Sequence, residues 1–350
     1  MSHTLLKSSD EEAVFTVEID AETIEAAILN EFRKIMAEEK PKKMTAPLSD
    51  KAMLAQHPEL NKIASQALNN LLPSYYMDAI KTLGLTPMTY PQIKPKETRL
   101  GEPCIVEIRV ALEPKLELKM YEGLEASYSP ITVTEDDVKQ QIAGLRQQRG
   151  AEDDDEKLLK ALPFDTIEAF TAEVRNSLQT MADEQTESNK RTAVIKQLIE
   201  ANPFPLREEP VEQQIMIMIN QFRQQVGAQN FDGYLKSKGK SINDAKKEVR
   251  PEAEEVVRKN LLLAAVADRI APDVTEEDLK SAILKQENSI MDMGLSYEDR
   301  RKKLADMPGA LEQLQQAIRL DKAADYIINK AVLQESAPVR ILDQLPEYMK

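Results

Sequence analysis

Tryptophan does not occur in this chain, cysteine occurs once, histidine twice and glycine only ten times in 350 residues. Each scarcity excludes something. A lone cysteine, Cys104, rules out an intramolecular disulfide framework and reads as a reducing compartment. Neither histidine has a catalytic or metal-ligating companion: His3 lies in the terminus, and His57-Pro58 reads as a turn before a helix. The glycines form no phosphate-cradling loop. No stretch approaches the ~20 apolar residues needed to cross a bilayer, and Met1 to Lys7 contains no apolar signal-peptide core. The residues that usually carry catalysis at neutral pH are therefore missing. No enzyme activity, cofactor, metal or membrane is expected, and the expected location is the cytoplasm. A formal net charge of −14 argues against general nucleic-acid binding, which needs a basic surface, although local basic patches are compatible with it.

What the chain does have is methionine, 14 in all, much of it on long charged helical stretches. Methionine is the flexible, polarizable residue of adaptable apolar surfaces. The composition therefore reads first as that of a binder.

The pattern along the chain changes near Pro114. Before it, Val14-Phe15-Thr16-Val17-Glu18-Ile19 alternates as a half-buried strand. Asp20 then caps a helix with Ile24, Ile28, Phe32 and Ile35 at helical spacing. Residues 40–47 form a basic, proline-flanked loop, either a solvated turn or a docking site for an acidic or RNA partner. A second helix carries Leu60, Ile63, Ala67, Leu71, Tyr75, Ala79 and Leu83 and ends at Gly84, with a kink or break expected at Pro73. Extended segments follow at 85–93 and 102–112, where Val106, Ile108, Val110 and Leu112 share one face. The expected class is α+β: an N-terminal α/β domain with an antiparallel sheet over 1–114, an extended linker and linker helix over 115–150, a mainly α-helical domain over 151–333, and a flexible tail over 334–350. Thr134 with Asp137, and Thr275 with Asp278, mark two helix starts by the same capping signal. Further helices are expected over 167–201, 207–226, 231–235, 245–271, 276–292 and 310–333.

In the 207–226 helix, Val211, Ile215, Met218, Phe222 and Val226 form one stripe, but residues 215–219 are apolar without a break. At 100° per residue such a run encircles the helix. Either the helix is sandwiched in a core, or one side is left for a partner. The 261–266 run has the same ambiguity, and burial suits it better.

Certain residues carry a resemblance. Leu71-Leu72-Pro73-Ser74-Tyr75-Tyr76-Met77-Asp78-Ala79-Ile80, Pro91-Gln92-Ile93 and Glu113-Pro114-Lys115-Leu116-Glu117-Leu118, with Tyr121, Gly123, Leu124 and Glu125, resemble the bacterial trigger factor family in order and spacing. So do Val133-Thr134-Glu135-Asp136-Asp137-Val138, Asn202-Pro203-Phe204-Pro205 and Arg250-Pro251-Glu252-Ala253-Glu254. The resemblance spans about residues 13–333. It implies a ribosome-docking N-terminal domain, a linker, and a helical C-terminal domain whose two arms cradle unfolded chains. The family usually inserts a peptidyl-prolyl isomerase domain after the linker helix. Here only about a dozen residues separate Arg149 from Leu162-Pro163-Phe164, which leaves no room for it.

The docking loop departs too. The family's loop reads Gly-Phe-Arg-x-Gly-x-x-Pro; anchored on Pro47, this chain places Lys40, Pro41, Lys42 and Met44 at the four preceding motif positions. Lysine lacks arginine's planar fork, and both glycines are gone, which counts against ribosome docking through Lys42 and Lys43 by the family's mode. The implied function is an ATP-independent chaperone, a holdase or foldase for unfolded or nascent polypeptides, without isomerase activity. A dedicated assembly scaffold for one folded partner is the alternative. The expected client-binding residues are Met216, Met218, Ile219 and Phe222 on one arm and Ile290, Met291, Met293 and Leu295 on the other. The family includes dimers, and a homodimer stays open here.

Overall fold

The computed structural model describes residues 2–38, 54, 57–95, 101–150, 154–160, 162–227, 230–285 and 295–344. By contacts the chain divides into two compact units, one of 1–117, 205–261 and 271–320, the other of 118–204, 262–270 and 321–350.

The first unit opens with strands β1 (Ser2–Ser8) and β2 (Glu12–Ile19), helices α1 (Ala21–Glu38) and α2 (Leu60–Leu83), and strands β3 (Gln92–Pro95) and β4 (Cys104–Ala111). The sheet is antiparallel in the order β1-β2-β4-β3. The expected alternation places Ala13, Phe15, Val17 and Ile19 of β2 in the core, where Phe15 pairs with Ile108 and Val17 with Val106. Ile24, Ile28 and Phe32 of α1 and Ile63, Ala67 and Leu72 of α2 join them in one apolar cluster. Each fully buried valine, isoleucine or phenylalanine among them contributes about 1.5–3 kcal/mol. Burial also pushes the Tyr76 phenol up to about 12, its ring stacked 6.3 Å from Phe15.

The local signals are met at atomic level. Asp20 accepts from the Thr23 N–H at 2.8 Å, and Gly84 ends α2 at φ +62°, the left-handed conformation that glycine adopts without strain. The break expected at Pro73 does not occur: α2 runs through it for 24 residues. Pro73 sits on the water-facing side, as does Asn69, whose carbonyl the proline leaves without a helical donor. Leu72, Tyr75, Ala79 and Ile80 on the opposite side are buried and hold the helix together. Strand β1 was not expected, and it pairs with β2 through a register shift between Leu5 and Lys7.

The rest of this unit is helical: α6 (Glu208–Val226), α7 (Phe231–Ser237), the first part of α8 (Ile242–Ile270), α9 (Glu276–Lys285), α10 (Tyr297–Ala305) and the first part of α11 (Ala310–Lys330). The capping signal read at Thr275 and Asp278 is present, with the Asp278 N–H donating to Thr275 Oγ1 at 3.2 Å and Thr275 N to the Asp278 carboxylate at 2.8 Å. Ser241–Asp244 builds the same box before α8. Leu261 to Ala264 and Val266 are all buried, which settles the ambiguity of that run in favour of the core.

The second unit contains β5 (Glu125–Tyr128), β6 (Ile131–Thr132), α3 (Glu135–Gln148), α4 (Asp155–Leu159), α5 (Ile167–Ala201), β7 (Val332–Glu335), β8 (Val339–Arg340) and α12 (Ile341–Gln344). Residues 334–344, expected as a flexible tail, are instead paired and packed. Strand β5 pairs in parallel with β7, and β6 with β8. Ile341 and Leu342 are buried with Leu158, Phe170, Val174 and Leu178. Arg340 donates to the Asp137 carboxylate at 2.6 and 3.0 Å and to Asp136 at 3.0 Å. Desolvation alone would raise the buried Asp137 carboxyl, but the Thr134 and Arg340 hydrogen bonds outweigh it and hold the group below its ordinary range.

Asn202, the first residue of the Asn-Pro-Phe-Pro motif, is buried and fully used. Its Oδ1 accepts from the Lys119 and Met120 N–H groups at 2.7 and 3.2 Å, and its Nδ2 donates to the Met120 and Leu198 carbonyls at 2.7 and 2.8 Å. The extended linker is thus fixed to the end of α5 by one side chain. Asn202→Ala strands these groups and is expected to lower stability by about 2–3 kcal/mol. Chemical denaturation of the two proteins checks it, and an unchanged midpoint would show that water replaces the amide.

Candidate client-binding surface

Helix α6 sorts its apolar residues by angle. Val211, Ile215 and Ile219 lie within one narrow arc and are buried, Ile219 to 3% exposure. Met216, a quarter-turn from Ile215, is 40% exposed. Its neighbours on that side, Asn220 and Arg223, are exposed and polar. Met218 is half-buried at the rim of the inner stripe, and Phe222, on the stripe itself but close to the end of the helix, is half-buried as well. The residues expected to act together on this arm are therefore divided: Met216 is presented to solvent, Met218 and Phe222 are partly so, and Ile219 belongs to the core. A helix that must pack one side cannot offer all five consecutive apolar positions, and the 40° between Ile215 and Ile219 keeps both on the packed side.

Phe222 has a second partner set in α7. Its ring meets Phe231 edge-on at 6.0 Å and Tyr234 edge-on at 5.3 Å. Phe231 is buried, while Tyr234 is 38% exposed and joins Met216 as an outward apolar group on this arm. The Arg223 guanidinium lies 5.4 Å from the Phe231 ring centre. At the start of α6, Arg250 from α8 donates to Glu208 at 2.7 and 3.2 Å and also binds Glu212. That hydrogen bonding lowers the Glu208 carboxyl below its ordinary range and raises the guanidinium.

Three contacts tie the helical part of the first unit to its sheet domain. Arg207 donates to the Glu11 carbonyl at 2.6 Å, and the Tyr90 N–H donates to Gln213 Oε1 at 2.7 Å. Gly309, in the left-handed region at φ +79°, packs so close to Met77 that a Cβ there would stand 3.0 Å from Sδ. The Tyr90 contact puts a ring that is 71% exposed beside the turn of α6 that leads to Met216. Ile93, on the neighbouring edge strand β3, is exposed as well. Tyr90, Ile93 and Tyr234 escape sequence reading because isolated apolar residues in short or irregular segments carry no period.

On the other arm, Leu279 and Ile283 of α9 pack with Leu314 and Ile318 of α11, and Tyr297 and Leu304 of α10 lie against them. Leu295 is half-buried just before Ser296, which caps α10 by accepting from the Asp299 N–H at 3.2 Å. Ile290, Met291 and Met293 lie outside the described residues, as do Lys42 and Lys43. Cys104 and His57 are structural: Cys104 is buried in β4, and His57 sets its ring edge-on to Phe32 at 5.5 Å.

Two family models match in chain order. The model of the N-terminal part of bacterial trigger factor matches residues 1–145, and that of its C-terminus matches 166–329. The trigger factor of Syntrophomonas wolfei is 20% identical over 438 aligned positions, covering 97% of this chain and 99% of the relative. That of Bacillus pumilus is 31% identical over 146 residues, covering 42% of this chain and 34% of its own. A solved structure of the trigger factor chaperone aligns with 94% of this chain and 100% of its own at a TM-score of 0.45 and 14% identity. An alignment of 438 positions against 350 residues means that the Syntrophomonas relative carries sequence this chain does not have. Between the two matched parts lie only residues 146–165, and a segment below about 40 residues rarely folds alone. The chain belongs to the bacterial trigger factor family of chaperones and is a member without the isomerase domain.

Proposed function

We propose that the protein is an ATP-independent holdase that shields apolar segments of unfolded or nascent polypeptides in the cytoplasm and has no prolyl isomerase activity. One observation supports this most: Met216 and Tyr234 stand at the surface of helices whose other outward residues are polar or charged. Outward apolar groups of this kind offer contact area to a partner without demanding a fixed partner shape, and methionine's three rotatable bonds suit segments of varied sequence. Release needs no nucleotide, since a client that buries its own apolar surface withdraws the groups that bound. The net charge of −14 keeps a loaded complex soluble.

The test is aggregation of two unrelated chemically denatured proteins, diluted with and without the chain, beside a proline-limited refolding assay. Suppression of both aggregations without nucleotide, with an unaltered proline-limited refolding phase, is the expected result. Failure with both denatured proteins, together with recovery of one folded protein in a fixed ratio, would replace the holdase with an assembly scaffold.

A further inference from the structure

We infer that Met216 is a reversible oxidation site, where a peroxide converts the thioether to the sulfoxide and thereby weakens the hold on a client; this rests on the holdase reading above. Peroxides react first at sulfur, and exposure decides which sulfur is reached. The chain has 14 methionines against one cysteine, and Cys104, at 1% exposure in β4, is closed to the oxidant. Among the described residues three methionines are exposed, Met120 at 47%, Met216 at 40% and Met307 at 53%, while the rest are half-buried. Hydrogen peroxide carries no charge, so the net charge of −14 does not turn it away.

Position separates the three. Met120 lies in the linker, its N–H and carbonyl both held by the Asn202 side chain at 3.2 and 2.7 Å. Met307 occupies the turn between α10 and α11, where its N–H donates to the Leu304 carbonyl at 3.1 Å. Of the three, only Met216 belongs to the apolar run of α6. It stands one turn after Gln213, whose side chain accepts from the N–H of the exposed Tyr90. Its sulfur is thus within reach of oxidant and within the surface that would hold a client. Met218, two residues on, is half-buried and therefore slower to react.

The step is a two-electron oxygen transfer. A lone pair of the Met216 sulfur attacks one peroxide oxygen, the S–O bond forms and the O–O bond breaks. The departing hydroxide takes the proton of the transferred oxygen and leaves as water, so sulfur is oxidised and peroxide reduced. The product's S=O group is polar and binds water. At an exposed position it keeps that water while the protein is free, and the packed stripe of Val211, Ile215 and Ile219 is untouched. A client packing over it must strip the water and offers no donor in return. Methionine sulfoxide reductases remove the oxygen and restore the apolar side chain.

The experiment treats the full chain with hydrogen peroxide, maps the added oxygen by peptide mass spectrometry, removes the oxidant and measures suppression of aggregation of a denatured protein. Chain carrying the Met216 sulfoxide is expected to protect about fivefold less well, the effect of stripping water from one polar group, with an unchanged thermal melt. Reductases for both sulfoxide epimers should restore it. Met216→Leu keeps the apolar area without the reactive sulfur and should protect equally before and after treatment. Met120→Leu with Met307→Leu should lose protection on oxidation as the wild type does. Met216→Gln, a fixed polar group at the same place, should be weak without any oxidant. Undiminished protection by the sulfoxide form, an equal loss in Met216→Leu, full protection by Met216→Gln, or oxidation that spares Met216 overturns the site and leaves the holdase reading standing. If the untreated wild type suppresses no aggregation, the holdase reading falls and this inference with it.

Discussion

A chain ending at Lys330 is expected to lose the folded second unit. The deleted segment supplies β7 and β8, each the parallel partner of a linker strand, and Ile341 and Leu342, which are buried with Leu158 and Phe170. Removing two buried aliphatic side chains costs roughly 2–5 kcal/mol apiece. Losing Arg340 also leaves Asp137, fully buried, without its cation. The sum is about the whole stability of a domain. Limited proteolysis should then cut within residues 118–204, and dye binding should report exposed apolar surface, while the N-terminal sheet stays protected. A truncated chain that melts with the full-length one would show that these residues rest on the surface without stabilising it.

The second large effect separates two residues three positions apart. Met216→Glu adds a charge at an exposed site and is expected to leave stability within about 0.5 kcal/mol. It should weaken protection of a denatured client roughly fivefold, about 1 kcal/mol of lost apolar contact. Ile219→Glu buries a charge with no partner and should unfold the arm, a cost of several kcal/mol. Thermal melts beside aggregation curves distinguish them. Undiminished protection by folded Met216→Glu would remove this face of α6 from the client surface.

These two outcomes also mark how far the residues alone could be read. Helix starts were legible because their signals are local: Asp20, Thr134 and Thr275 each act within three residues, and all three cap as their positions dictate. The core of β2 and β4 was legible from strict alternation. Strand β1 was not, since its side chains are nearly all solvated and Leu5-Leu6 breaks the period. The C-terminal strands were missed for a different reason. They are two to four residues long, and their partners lie some two hundred positions earlier in the chain, so no local pattern announces them. On α6 the apolar run announced an excess over what one packed side needs, but it did not say which member would be left over. Packing against neighbours made that choice, and it fell on Met216. Tyr90 is exposed because a backbone hydrogen bond to Gln213 holds the segment there, a contact between residues more than a hundred positions apart.

The parallel pairing of β5 with β7 and of β6 with β8 sets an order on biogenesis. A polypeptide emerging from its amino end exposes residues 125–132 long before 332–340 exist. Closing so long a loop costs conformational entropy that nothing repays until residues 332–340 have been made. The sheet domain at the amino end has all its strands by residue 111 and can mature early. The linker unit must wait for residues 332–342, so its apolar interior stays unsealed while the two hundred or so residues in between are made.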